Sequence, residues 1–371
     1  MNTKNLLKNL ISIKSVSGDE KNIQGFIFGY IKSLGLKPVW QEGNVLVQIK
    51  GKNLQKCLIF NAHVDTVAVG SSAPWKKGPF SGEKSGGKMY GLGASDEKAA
   101  VATQLKLAEY FSKNIPACDV WLTFVIKEEV DGSGTKMFLD WFTQNYAKKY
   151  DEIVGVLGEP TNLKTIELAH KGNIFLKVTT FGKPGHGSKP HKEGDHAVLK
   201  MFGVIESLKK LEKVWQKSYI NKILGTPSIA LATSISAGDI AVPNKYPDSC
   251  VATFDIRTTP EIDSEALSQL KKVLDKKELK IELIYPPVGC GFTDKNSTIA
   301  KIFKETSKAK FVVSQGSNDM CFFTQKGIPA VVFGPGEKEI IHSPNEYCEL
   351  EKIDKCEFLY EEVVKLFGGE L

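Results

Sequence analysis

Two histidines and several carboxylates stand just beyond stretches of strand-like sequence, where side chains can converge on one ligand. His63 and Asp65 flank Val64 directly after the apolar run 56–61. Residues two apart in an extended chain face the same side. Asp65 can therefore hold the His63 imidazole in one tautomer, as carboxylates behind metal-bound histidines do. Glu128 and Glu129 follow the apolar run 120–126. Adjacent carboxylates repel and call for a cation nearby, and their side chains point in different directions, so one can bind metal while the other handles protons. Glu159 follows a third run, 151–157, in Gly158-Glu159-Pro160-Thr161, where the proline keeps it extended. Asp96 lies in Met89-Tyr-Gly-Leu-Gly-Ala-Ser-Asp96-Glu97-Lys98, and His342 follows the loop Gly334-Pro-Gly336. Each has a plain structural alternative: a satisfied histidine, a helix N-cap at Asp96, a solvated loop at Glu128-Glu129. Gly91 and Gly93 open a dinucleotide-like fingerprint, but Asp96 stands at its third glycine position and would repel a pyrophosphate. Jointly, two histidines and three acids form a nitrogen- and oxygen-rich set suited to Zn, Co or Mn rather than a thiolate site.

These residues need a frame that aligns strand ends. In the first part of the chain, helical periodicity (3–34, about 97–110) alternates with strand patterns (38–40, 44–49, 56–61, 120–126, 151–157). That alternation predicts an α/β sheet covered by helices, with functional groups at the carboxyl ends of its strands. The texture changes after residue 173. A strand (174–181), the turn Gly182-Lys-Pro-Gly185, a long helix (196–216), strands at 228–233 and 250–257 and a helix at 264–275 read as an inserted α+β domain. After about 291 the first pattern resumes and ends in a helix over 350–367. The expected division is a catalytic domain from 1–173 and 291–371, interrupted by an inserted domain at 174–290.

Composition bounds the function classes. A chain of 371 residues exceeds one comfortable core. With 42% hydrophobic and 25% charged residues it is globular rather than disordered. The net charge of +6 is spread out, and pairs such as Lys271-Lys272 and Lys276-Lys277 read as solvated helix faces, which argues against nucleic acid. No window is apolar enough to span a bilayer. Seven cysteines without a CxxC pair read as reduced structural thiols of a cytoplasmic protein.

In order and over nearly the whole chain, His63-Val-Asp65, Gly91-Leu-Gly-Ala-Ser-Asp-Glu-Lys98, Glu128-Glu129, Gly158-Glu-Pro-Thr161, Gly185-His186, Phe254-Asp-Ile-Arg257 and the terminal Gly-Pro-Gly with His342 resemble the M20 family of metallopeptidases and deacylases. The resemblance implies a zinc-peptidase-like catalytic domain, with a mixed sheet flanked by helices, and an inserted lid and dimerisation domain. It implies two divalent metal ions, zinc first, with cobalt or manganese as alternatives. Asp96 would bridge them, His63 and Glu159 completing one site and Glu129 and His342 the other. Glu128 would be the general base and Asp65 the residue that orients His63. His186 would reach the partner subunit's active site in a homodimer and stabilise the oxyanion. Asn244 and Arg257 would bind substrate, and Gly316-Ser317 would offer it backbone donors; the alternative for Arg257 is a strand-end ion pair. His191 and His196 match no catalytic motif.

This chain departs from the family at Asp96-Glu97-Lys98-Ala99, where Asp-Met-Lys-Gly is common, at Lys127, where an acid is usual, and at Gly316-Ser-Asn-Asp319, where Gly-Thr-Ser-Asp is more usual. Tyr90-Gly-Leu-Gly93 and Ala169-His-Lys-Gly172 resemble acetylornithine deacetylases more than desuccinylases. The expected activity is removal of an acyl group from a small N-acyl amino acid. Succinyl-diaminopimelate desuccinylase and dipeptidase activities are the alternatives within the class, and a metal-free binding module the alternative outside it.

Overall fold

A computed structural model of the protein describes residues 2–70, 74–190, 192, 195–275 and 279–369. The chain divides into two compact units: residues 1–168, 291–313 and 318–371 form the first, and 169–290 with 314–317 the second. The Lys276-Lys277 pair and His191 lie outside the described residues.

In the first unit four parallel strands lie side by side in the order Cys118–Val125, Asn53–His63, Glu152–Leu157, Ala330–Val332. Asn44–Ile49 and Val39–Gln41 extend the sheet antiparallel on one side. The parallel register sets the site. His63 pairs with Val125, Asn61 with Leu157, and Leu157 with Val332, so the four strands finish level with one another. The segments that leave these strand ends enter the same space: Glu128-Glu129, His63 to Asp65, Glu159, and the Gly334-Pro-Gly336 loop that leads to His342. Cys118–Val125 is buried along its whole length, which explains its unbroken apolar sequence.

The helices Thr3–Ser12, Lys21–Ser33, Ala99–Phe111 and Leu350–Gly368 put Leu6, Leu10, Ile27, Leu105, Tyr360 and Val364 into one core with the sheet. The helix Ser133–Asn145 carries no clear signal in the sequence. It is held by aromatics: Trp121 on the sheet meets Phe138, Trp141 and Phe142 at centroid distances of 6.3, 5.9 and 5.6 Å.

The second unit is a four-stranded antiparallel sheet, ordered Ser228–Ala237, Ser249–Thr258, Gly172–Phe181, Leu279–Leu283. The helices Ala197–Ser218 and Asp263–Val273 bury Met201, Leu208, Trp215 and Leu270 against Leu176, Phe254 and Ile256 of that sheet. No helix among the described residues is long and apolar enough to cross a membrane. All seven cysteines are free thiols, and all but Cys290 are buried.

One alternative reading does not hold. The helix anticipated from Glu97 begins at Ala99, with no side-chain cap, so Asp96 is not its N-cap. Asp96 and Glu97 instead take non-helical dihedrals (φ −119°, ψ 90° and φ −133°, ψ 38°) within an irregular turn, Ala94–Lys98. The reason is Glu346, whose carboxylate accepts from the backbone N–H groups of Gly93, Ser95 and Asp96 at 3.1, 2.8 and 3.1 Å. Those donors are used up in fixing the turn, and the Asp96 carboxylate is left free to face the strand ends.

Candidate metal centre

The first unit gathers every sequence-predicted ligand into one pocket. His63 is 1% exposed, Asp96 6% and Asp65 0%. Asp96 presents one oxygen to each histidine: Oδ1 lies 2.9 Å from His63 Nε2 and Oδ2 lies 3.3 Å from His342 Nε2. On either flank, Glu159 Oε1 is 3.8 Å from His63 Nε2, and Glu129 Oε1 is 3.0 Å from His342 Nε2.

Asp65 has wider connections than the sequence implies. The closest group to His63 Nδ1 is its backbone carbonyl at 3.1 Å, with its carboxylate at 3.5 Å. That carboxylate also accepts from Ser17 Oγ at 2.6 Å and from the backbone N–H groups of Glu128 and Glu129 at 3.1 and 3.2 Å. One buried side chain thereby ties the His63 strand to the Glu128-Glu129 loop. The loop turns at Lys127, which is exposed with φ +60°, and Gly132 donates to the Lys127 carbonyl at 2.8 Å. Gly132 (φ +63°) must be glycine: a Cβ would sit 2.5 Å from Asp319 Oδ1.

Spacing alone does not single out three further acids. Glu346 holds the Asp96 turn, and its partners lie about 250 residues upstream. Asp319 closes a buried chain in which Thr123 Oγ1 donates to Asn61 Oδ1 (2.7 Å), Asn61 Nδ2 to Thr135 Oγ1 (3.0 Å), and Thr135 Oγ1 to Asp319. Glu97, in sequence only a departure from the family pattern, reaches the pocket itself and accepts from the His63 backbone N–H.

The residues in the second unit have their own surroundings. Gly185–His186 pairs antiparallel with Lys245–Tyr246, and Gly187 donates to the Asn244 carbonyl at 2.7 Å, which brings His186 and Asn244 into one small structure. His186 is exposed, with Nδ1 2.8 Å from Ser188 Oγ. Arg257 is gripped through two nitrogens by Asp255, at 2.8 and 2.9 Å, the geometry of a strand-end ion pair. The Gly316 N–H turns back to Ser314 Oγ at 3.2 Å, beside Ser317. His196 stands at the N-terminus of Ala197–Ser218 with its ring edge-on to Tyr246.

Charge in the pocket is far from balanced. Burial opposes a charged His63, but Glu97, Asp65 and Asp96 outweigh it and push the imidazole well above its ordinary range. Hydrogen bonds to Asp96 and Glu129 raise His342 to about 10. Asp96 is held below the usual carboxylate range because the two histidines outweigh the cost of its burial. Burial, then Asp96, lifts Glu159 to about 8; burial, then Glu159, lifts Glu128 well above the ordinary value. Burial lifts Glu129 as well. Such a cluster wants cations.

The donors fit two of them. Ligand atoms of His63, Glu97 and Glu159 lie within 4.8 Å of one another, and so do those of Asp96, Glu129 and His342. Glu97 Oε2 is buried with no hydrogen-bond partner among the described residues. Imidazole and carboxylate together match the donor chemistry of zinc and its neighbours.

The imbalance predicts how the metal-free protein responds to pH. Glu159, Asp319 and Glu346 keep their protons up to about 8, about 7 and about 7 when folded, in each case chiefly through burial. In the unfolded chain they ionise near pH 4. Folded protein thus binds more protons across pH 5–7, so the stability is complete below the unfolded pKa and is lost as pH rises. Thermal melts of chelator-treated protein should lose roughly 2 kcal/mol or more between pH 5 and 7, and added divalent metal should remove most of that slope. A metal-free melting temperature that is level or rising over this window would contradict the assignment.

Comparison with known proteins agrees with the geometry. Residues 59–366 match the model of peptidase family M20/M25/M40. The chain is 27% identical over 365 residues to acetylornithine deacetylase of Buchnera aphidicola subsp. Acyrthosiphon pisum (strain 5A), with 92% of each protein covered. It is 27% identical over 383 residues to succinyl-diaminopimelate desuccinylase of Orientia tsutsugamushi (strain Boryong), covering 98% of this chain and 95% of that one. A Staphylococcus aureus tripeptidase superposes with a TM-score of 0.76 at 19% identity, covering 99% and 98%. A dinuclear metal-binding M20 peptidase of Bacillus subtilis superposes at 0.69 and 15% identity, covering 100% and 98%. With two groups of side chains that could each hold a metal ion and a family match across most of its length, the chain belongs to peptidase family M20/M25/M40 and is a metal-dependent hydrolase of amide bonds.

Proposed function

We propose that the protein removes the acyl group from a small N-acyl amino acid, as an acetylornithine deacetylase does, using two divalent ions, zinc first. The observation that carries the proposal is Asp96, with one oxygen towards His63 and the other towards His342. His63 and Glu159 would hold one ion, Glu129 and His342 the other, with Asp96 shared. When bound, the ions supply Lewis acidity, polarising the amide carbonyl and acidifying the attacking water. Glu128 lies in neither donor group. Its carboxylate takes the water's proton and returns it to the departing nitrogen. Glu128 starts with a raised pKa, and nearby positive charge lowers it into the range a base needs. Asp65 fixes the geometry by holding the Glu128 and Glu129 amides and the His63 ring together.

The acyl-amino-acid assignment draws on Tyr90-Gly-Leu-Gly93, Ala169-His-Lys-Gly172 and the deacetylase relative. The desuccinylase relative and the tripeptidase fold match keep succinyl-diaminopimelate and peptides as competitors. A panel of N-acetylornithine, N-succinyl-diaminopimelate and dipeptides, with zinc or cobalt added, tests it: kcat/KM should be highest for N-acetylornithine, and cleavage of dipeptides alone would refute the assignment. Assigning His186, Asn244, Arg257, Gly316 and Ser317 to substrate binding belongs to the same proposal. Alanine variants of His186, Asn244 and Arg257 should raise KM or lower kcat with metal content unchanged.

A cytoplasmic homodimer joined through the second unit completes the proposal. Leu199, Phe202, Val214, Ile235 and Ile240 of that unit are 39–100% exposed and offer apolar side chains to such an interface. Light scattering should return twice the chain mass of 40.8 kDa.

A further inference from the structure

Glu97 is a carboxylate of the pocket that the reaction above leaves unused. It is 2% exposed, nearly as buried as His63. One of its oxygens accepts from the His63 backbone N–H, which fixes the carboxyl group beside that histidine. The other, Oε2, is buried and unpartnered among the described residues. A buried carboxylate oxygen without a donor is costly unless something else satisfies it. Gly158 packs closely here: a Cβ on it would lie 2.4 Å from the Ala100 Cβ and 3.1 Å from this oxygen. The break in helical geometry at Asp96 and Glu97 lets two consecutive side chains serve one pocket.

The two halves of the pocket are consequently unequal. Around His63 stand Asp96, Glu159 and Glu97, with the imidazole 1% exposed. Around His342, among the described residues, stand Asp96 and Glu129, with the imidazole 45% exposed. Oxygen-rich sites suit hard ions such as manganese, whereas imidazole-rich sites suit zinc.

We propose that Glu97 is an additional ligand to the ion held by His63 and Glu159, which makes that position the tighter of the two and moves its preference from zinc towards manganese. The proposal rests on the two-ion reading of the pocket. It concerns a residue where the family commonly has methionine, so the departure Asp96-Glu97-Lys98-Ala99 acquires a chemical role.

The test is calorimetric titration of chelator-treated, full-length protein with Mn²⁺ and, separately, with Zn²⁺, for the wild type, Glu97→Gln and Glu97→Met. The wild type should show two unequal sites. Both variants should weaken the tighter one about tenfold or more for Mn²⁺ and less for Zn²⁺, leaving the weaker site within about threefold of the wild type, a difference under 1 kcal/mol. Glu97→Gln keeps the shape of the side chain and Glu97→Met does not, so a shared loss assigns the effect to the carboxylate. Should Glu97→Gln fail to fold, Glu97→Met carries the test. Unchanged or tighter binding in the folded variants would overturn the proposal, as would a wild-type tight site that takes Zn²⁺ and no measurable Mn²⁺. A wild type that binds neither ion would instead overturn the two-ion reading itself.

Discussion

Glu128→Gln should lower kcat by about 10²–10⁴-fold, the usual contribution of a positioned general base, while both ions stay bound. The neighbouring glutamates differ in what they face. Glu129 Oε1 is 3.0 Å from His342 Nε2 and shares a donor group with Asp96, whereas Glu128 belongs to neither group. Both are held by their backbone amides to Asp65, so replacing either side chain leaves the loop anchored. Glutamine matches glutamate in shape but cannot accept a proton at neutral pH, so the loss should appear in kcat with KM little changed. Glu129→Gln should do the reverse, reducing metal content first and activity as a consequence. Metal analysis beside steady-state kinetics separates the two. Loss of metal in Glu128→Gln with retention in Glu129→Gln would mean that their roles are exchanged.

Asp96→Asn should have the larger effect, reducing kcat/KM by more than about 10³-fold, beyond the loss of a single electrostatic stabiliser. Its two oxygens face two histidines, so one amide substitution strikes both halves of the centre. An amide offers one neutral oxygen where the carboxylate offers two charged ones. The backbone should tolerate the change, because the turn is held through Glu346 and the Gly93, Ser95 and Asp96 amides rather than through the Asp96 side chain. The variant should therefore fold, bind at most one ion weakly and lose turnover. A folded Asp96→Asn protein that kept two tightly bound ions would rule out a shared ligand.

Much of this centre is legible in the sequence because parallel strands advertise themselves. Buried on both faces, they read as apolar runs, and the residues just past each run sit at its carboxyl end. His63, Glu129 and Glu159 can be placed in that way. His342 cannot be placed by local pattern, since it comes after a loop rather than a run, and only the joint set of residues points to it. Residues that act through the folded chain leave no trace in spacing. The turn at Asp96 is held in an irregular form by Glu346, some 250 residues away, which accepts hydrogen bonds from its backbone amides; an Asp before a helical pattern reads locally as an N-cap. The helix Ser133–Asn145 is equally hidden, its position depending on Trp121 of the neighbouring strand. Arg257, proposed above to bind substrate, is also paired with Asp255, a partner that spacing does not reveal.

The central claim is that one pocket holds two ions on a shared aspartate and uses them to cut an amide. Elemental analysis of zinc-reloaded protein, taken with hydrolysis of N-acetylornithine by the same sample, tests it most directly. Two ions per chain, with activity lost on chelation and regained on reloading, is the predicted result. A folded protein that takes up no divalent ion, or whose amide hydrolysis survives their complete removal, would contradict it.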